Sequence, residues 1–130
     1  MPKQMQPPIG ILVTHPRSFF QKAERDFDAY MRYMSSMNQS DNRQWYRVMK
    51  NLPTSDFLYI YTVYDGKVIH RTNLVEMWRN RDMSFPRAEG GEAHFPNCNG
   101  IVLGPPFEKA PFEIPVKGFQ GFRYVYQPLW

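Results

Sequence analysis

The sequence predicts an α+β domain, a small antiparallel or mixed β-barrel with two N-terminal flanking helices. Apolar residues recur at helical spacing only in the first part of the chain. Short runs of strand-forming residues, each bounded by proline or glycine, fill the rest. Twelve prolines against eight glycines in 130 residues exclude a helical bundle, because an interior proline removes a backbone hydrogen bond and clashes with the preceding turn. A chain of this length builds one core, so residues 1–130 are expected to form a single domain.

The first element is Ile9-Gly-Ile-Leu-Val13, a β-branched run closed by His15-Pro16, which reads as a buried strand. Ser18 and Gln21 have capping-box spacing, and Phe20, Phe27, Tyr30, Met34 and Met37 then recur as one face of a helix to about residue 37. Lys22, Arg25, Asp28 and Arg32 fall on its other, solvated face. Asp41 and Gln44 repeat the capping spacing, and the stripe Trp45, Val48, Met49 and Leu52 predicts a second helix ending at Pro53, with Arg43, Arg47 and Lys50 on its opposite face.

Residues 57–64, Phe-Leu-Tyr-Ile-Tyr-Thr-Val-Tyr, are strand formers, and Asp65-Gly66 is a strong tight-turn signal. The return strand runs from Lys67 to Trp78. Between Arg79 and Asn99 the pattern dissolves into charges, glycines and prolines, which predicts a long loop that either binds something or conceals a strand near Ala93-His-Phe95. Residues 100–104 form a short buried strand stopped by Pro105-Pro106, and residues 118–126 form the last one.

Sixteen Lys and Arg against twelve Asp and Glu give a net charge of +4, which permits an anionic partner without requiring one. No apolar run reaches the length of a membrane span and the first eight residues are polar, so the expectation is a cytoplasmic protein with no membrane partner. A single cysteine, Cys98, cannot form an internal disulfide. His15, His70, His94 and Cys98 show no paired metal-ligand spacing. The chain has no nucleophile elbow, phosphate loop or dinucleotide fingerprint, and the expected cofactor list is empty.

The remaining signal is a flat ring beside a positive charge, as in Trp45-Tyr-Arg47, His70-Arg71, Trp78-Arg79 and Phe122-Arg-Tyr124. Single-stranded or flipped nucleic acids are held by this pairing, rings stacking on bases while cations meet phosphates. Arg43, Trp45, Arg47, Lys50, Tyr59, Tyr61, Arg71, Trp78, Arg123 and Tyr124 are the candidate nucleic-acid-binding residues. The competing reading is that the alternating tyrosines of strand 57–64 are core and that the arginines only pack on neighbouring rings.

The order of a Trp/Arg-bearing helix (45–50), Leu52-Pro53, the aromatic strand 57–64, the Gly66-Lys-Val-Ile return strand and the terminal Gly118-Phe-Gln-Gly-Phe-Arg resembles the PUA-like superfamily, particularly its ASCH and EVE branches. The resemblance covers residues 42–78 and 100–126. It implies a small β-barrel that binds RNA or DNA, in several branches by accepting a modified or flipped base in an aromatic pocket. ASCH proteins carry a Lys-Thr-x-Glu-x-Arg motif. Here Arg43-Gln-Trp-Tyr-Arg47 keeps the final arginine and has Trp45 in the acidic position. The resemblance therefore carries over Arg47 alone, as a phosphate or base-edge contact, and does not carry over the amidohydrolase activity of some members.

A non-enzymatic nucleic-acid-binding module is the leading expectation. The alternatives are a protein-interaction accessory of a phage or mobile element, and an enzyme acting on a nucleoside or small ligand with Glu89 or Glu92 near His94.

Overall fold

The computed structural model describes residues 6–15, 27–39, 44–86 and 90–130. Six strands form one sheet: β1 (Gly10–Thr14), β2 (Trp45–Met49), β3 (Tyr59–Tyr64), β4 (Lys67–Pro86), β5 (Glu92–Lys109) and β6 (Phe122–Val125). Helix α1 (Phe27–Ser35) continues into a 3-10 turn, Ser36–Gln39. The strand order is β2-β5-β4-β3-β1-β6, with β1 and β3 parallel and every other pair antiparallel. The fold is therefore predominantly β, and no described helix is long and apolar enough to cross a membrane.

The described part of the first helix buries the predicted stripe. Tyr30, Met34 and Met37 are buried and Phe27 is half-buried, while Asp28 and Arg32 face outward. The proposed cap at Ser18 and Gln21, together with Phe20, lies outside the described residues. The Asp65-Gly66 hairpin forms as expected, with both residues at positive φ (52° and 76°), the geometry that lets a two-residue turn follow the twist of its strands.

Five expectations are corrected. The segment predicted as a second helix is strand β2. Trp45, Tyr46 and Val48 favour strands, and alternation places Trp45, Arg47 and Met49 on one face, so pairing with Ile101 and its neighbours on β5 prevails over the coincidental helical spacing. The sheet is open rather than a closed barrel, because β2 and β6 are its unpaired edges. Of the two readings of 79–99, the loop is overturned and the concealed strand holds: β4 runs to Pro86, and β5, starting at Glu92, contains Ala93–Phe95. Nor does Pro105-Pro106 end β5. Asn73 pairs with Gly104 and Arg71 with Glu108, so both prolines sit in a bulge where the ladder needs no donor from them. The final strand is also shorter than predicted, covering only Phe122–Val125.

The long β4–β5 hairpin bends back on itself. Trp78 and Phe85 would stand about 23 Å apart on a straight strand, yet their ring centroids lie 6.1 Å apart. The bend coincides with register shifts between Trp78 and Met83 and with Asn80 and Asn97 at positive φ (52° and 48°), a conformation that asparagine tolerates better than most residues.

The two faces of the sheet are buried differently. On one, Ile11, Val13, Ile60, Ile101 and Leu103 form a core that joins the helix contacts through Trp45. On the other, Leu12, Tyr61, Val63, Val68 and Val125 are packed by Ile114, Val116 and Phe119 ahead of β6 and by Leu129 and Trp130 after it. The first face is concave. In a flat sheet of this order β1 and β2 would lie four spacings apart, about 19 Å, beyond the reach of one side chain. Arg47 Nη2 nevertheless donates to the Thr14 carbonyl at 2.6 Å, so the sheet curls until its β2 edge approaches β1.

Candidate functional site

The curl brings a chain of polar groups together on the concave face. His15 extends the alternation of Ile11 and Val13, which aims its ring to the same side. His70 pairs with Thr62 in the middle of the sheet, and Tyr30 descends from helix α1 between the two histidines. The Tyr30 hydroxyl lies 2.9 Å from His15 Nε2 and 2.8 Å from His70 Nε2. At the far end, Arg47 Nη1 reaches His15 Nδ1 at 3.5 Å. Trp45 stands edge-on to Tyr30 with ring centroids 5.9 Å apart.

Donor and acceptor chemistry sets the direction of this chain. A guanidinium only donates, so His15 accepts at Nδ1 and carries its proton on Nε2. That N–H donates to the Tyr30 oxygen, and Tyr30 donates in turn to His70 Nε2. The His70 proton is thereby placed on Nδ1, which is buried and has no hydrogen-bond partner. Thr72 Oγ1 and Arg47 Nε are also buried without partners. Thr72 lies two residues from His70 on β4 and so shares its face.

Burial keeps the histidine and the phenol of this chain neutral. The pKa of His70, a fully buried residue, is pushed down to about 3, first by loss of solvent and then by His15. Burial raises Tyr30 well above the ordinary phenol value, partly opposed by the Arg47 charge. Burial also lowers Arg47, partly opposed by Tyr30, but a guanidinium keeps its proton at any physiological pH. No described carboxylate pairs with Arg47. Its identified partners are a neutral carbonyl and an imidazole, leaving a half-buried cation without a counter-charge.

Of the ten candidate residues, the structure brings Trp45 and Arg47 to this site. Arg43 lies outside the described residues, as does Glu89. Lys50 is exposed just beyond β2, and the helix face on which it was expected to join Arg47 does not exist. Tyr61 is fully buried on the opposite face, and Tyr59 packs there beneath Arg71. Arg71 itself is committed: it donates to Glu108 at 2.6 Å and to the Trp130 carbonyl at 2.9 Å, pinning the last residues onto the sheet. Trp78 is 1% exposed and donates to Cys98 Sγ. Arg123 is exposed over the Phe119 ring, and the Tyr124 hydroxyl accepts from the Thr54 backbone N–H at 2.9 Å. The ten residues thus do not share one cleft. His94, the centre of the enzymatic alternative, contacts Ser84 on the exposed hairpin at 2.6 Å.

Sequence reasoning did not select His15, Tyr30, His70 or Thr72. A usable signal was present for His15, since extending the Ile11/Val13 alternation by one step puts it on the core face. The convergence of the others depends on the curl.

The chain matches no protein-family model, no curated protein and no solved structure.

Proposed function

We propose that the protein is a non-enzymatic nucleic-acid-binding module whose concave face receives a base or phosphate of a single strand. Arg47 carries this reading: it is a half-buried guanidinium with no carboxylate partner among the described residues, its Nε unpaired, two residues from Trp45 on the same face of β2. Leaving such a charge uncompensated is costly, and an acceptor-rich or anionic ligand removes that cost. Trp45, half-buried on the same face of β2, supplies ring surface, while His70 and Thr72 lie buried beneath.

Fluorescence anisotropy of short labelled RNA and DNA strands tests this proposal. Binding is expected at low salt, with log affinity falling by about 0.7 per log unit of salt for each phosphate neutralised. Arg47→Gln is expected to weaken it at least about tenfold, the loss of one charge-assisted contact of roughly 1.5–3 kcal/mol. Absence of binding at low salt, or binding by Arg47→Gln equal to wild type, would overturn it.

A further inference from the structure

A second concavity lies at the start of helix α1. The start of helix α1 contributes Phe27 and Met31, the start of β4 contributes Lys67 and Ile69, and the chain following β5 supplies Phe112, with Lys109 at the end of β5; together they border a groove of about 280 Å3. Its walls are fixed by backbone hydrogen bonds, Ala110 N to the Ile69 carbonyl at 3.1 Å and Val68 N to the Ile114 carbonyl at 3.0 Å. The floor is apolar, and the Phe112 ring remains 58% exposed above it. Phe27 is held in place by stacking on Tyr64 at 5.7 Å.

The rim has a definite charge. Lys67 is paired with Glu113 at 2.7 Å, so those two cancel. Lys109 has no carboxylate partner among the described residues, which leaves one positive charge beside an exposed ring. We propose that this groove binds a small, flat, monoanionic molecule of the aromatic-carboxylate class, its ring between Phe27 and Phe112 and its carboxylate on Lys109. The volume is near the lower limit of small-molecule sites, about 300 Å3, which suits a bicyclic ring and excludes a longer ligand. The fixed walls reduce the ordering cost of binding.

Indole-3-acetate and its neutral amide, indole-3-acetamide, serve as probes in backbone-amide NMR titrations of the whole chain. Indole-3-acetate is expected to shift the amides of Phe27, Ile69, Ala110 and Phe112 saturably. Phe112→Ser changes an exposed residue, which leaves the core intact, and should weaken both probes. Lys109→Gln should weaken the acetate by about 1.4- to 5-fold, the range of an exposed charge pair, and leave the amide unchanged. Shifts confined to other residues, no saturation, or acetate binding by either variant equal to wild type would overturn the proposal. The probes carry no phosphate or nucleobase, so failure to bind them leaves the nucleic-acid reading untouched.

Discussion

Tyr30 is the residue on which the concave face turns, because its one hydroxyl joins helix α1 to two strands. Tyr30→Phe removes both imidazole contacts and is expected to cost about 1–3 kcal/mol, the penalty for leaving buried polar groups unpaired, read as a lower urea midpoint. His70 gives that stability a pH dependence. An unfolded chain protonates this histidine below about pH 6.5, whereas the folded chain does so only near pH 3. Between those values the unfolded state holds more protons, so the stabilising contribution is complete above about pH 6.5 and is lost as pH falls towards 3. The raised pKa of Tyr30 acts at the other end, because above about pH 10 only the unfolded chain loses the phenol proton. His70→Gln, neutral throughout and still able to accept from Tyr30, is expected to flatten the acid limb of the urea midpoint between pH 4 and 7. An unchanged limb would show that His70 is not its source. Beyond the core-facing position of His15, little of this was legible in the individual residues: His70 reads as a strand residue beside an arginine, and Tyr30 as one step of a helical stripe. Their joint hydrogen-bonded chain with Arg47 forms only when the sheet curls.

At the scale of elements, the sequence is most legible where periodicity is long or turn chemistry strict. The α1 stripe and the Asp65-Gly66 hairpin both satisfy that condition. Segment 45–49 does not, since five residues containing Trp, Tyr, Val and Met fit a strand as well as a helical stripe, and only pairing with β5 decides between them. The 79–99 segment was legible only in part, as a strand near Ala93–Phe95, for a different reason. A bent two-stranded ribbon with exposed polar residues on both sides shows no alternation, and its asparagines and glycines read as loop. Its stability rests on Trp78, which lies across from Gly100 with its ring where a Cβ at that glycine would go. Gly100→Ala is therefore expected to destabilise the protein by about 1–3 kcal/mol through overpacking. Trp78→Ala empties the same space and is expected to cost about 3–5 kcal/mol. Chemical denaturation measures both, and a neutral Gly100→Ala would contradict the described contact.

For the whole molecule, the expectation of an α+β fold stands in its coarser form, a mostly β domain with one described helix. Closure into a barrel does not stand. Arg47 spans the gap by a side-chain bond to the Thr14 carbonyl, where a closed barrel would have a backbone ladder. Arg47→Gln is expected to speed amide hydrogen exchange along β2 while leaving β1 and β3 protected, because local opening follows the contacts that are lost. The same residue is the proposed ligand anchor, which ties the integrity of the open edge to binding. An NMR titration of the unmodified protein with a short single-stranded oligonucleotide at low salt separates these roles. The account predicts saturable shifts of the Arg47 Nε–H, the Trp45 indole N–H and the His70 ring. Saturable binding that leaves all three unmoved and shifts only surface residues such as Lys50 and Arg123 would contradict it.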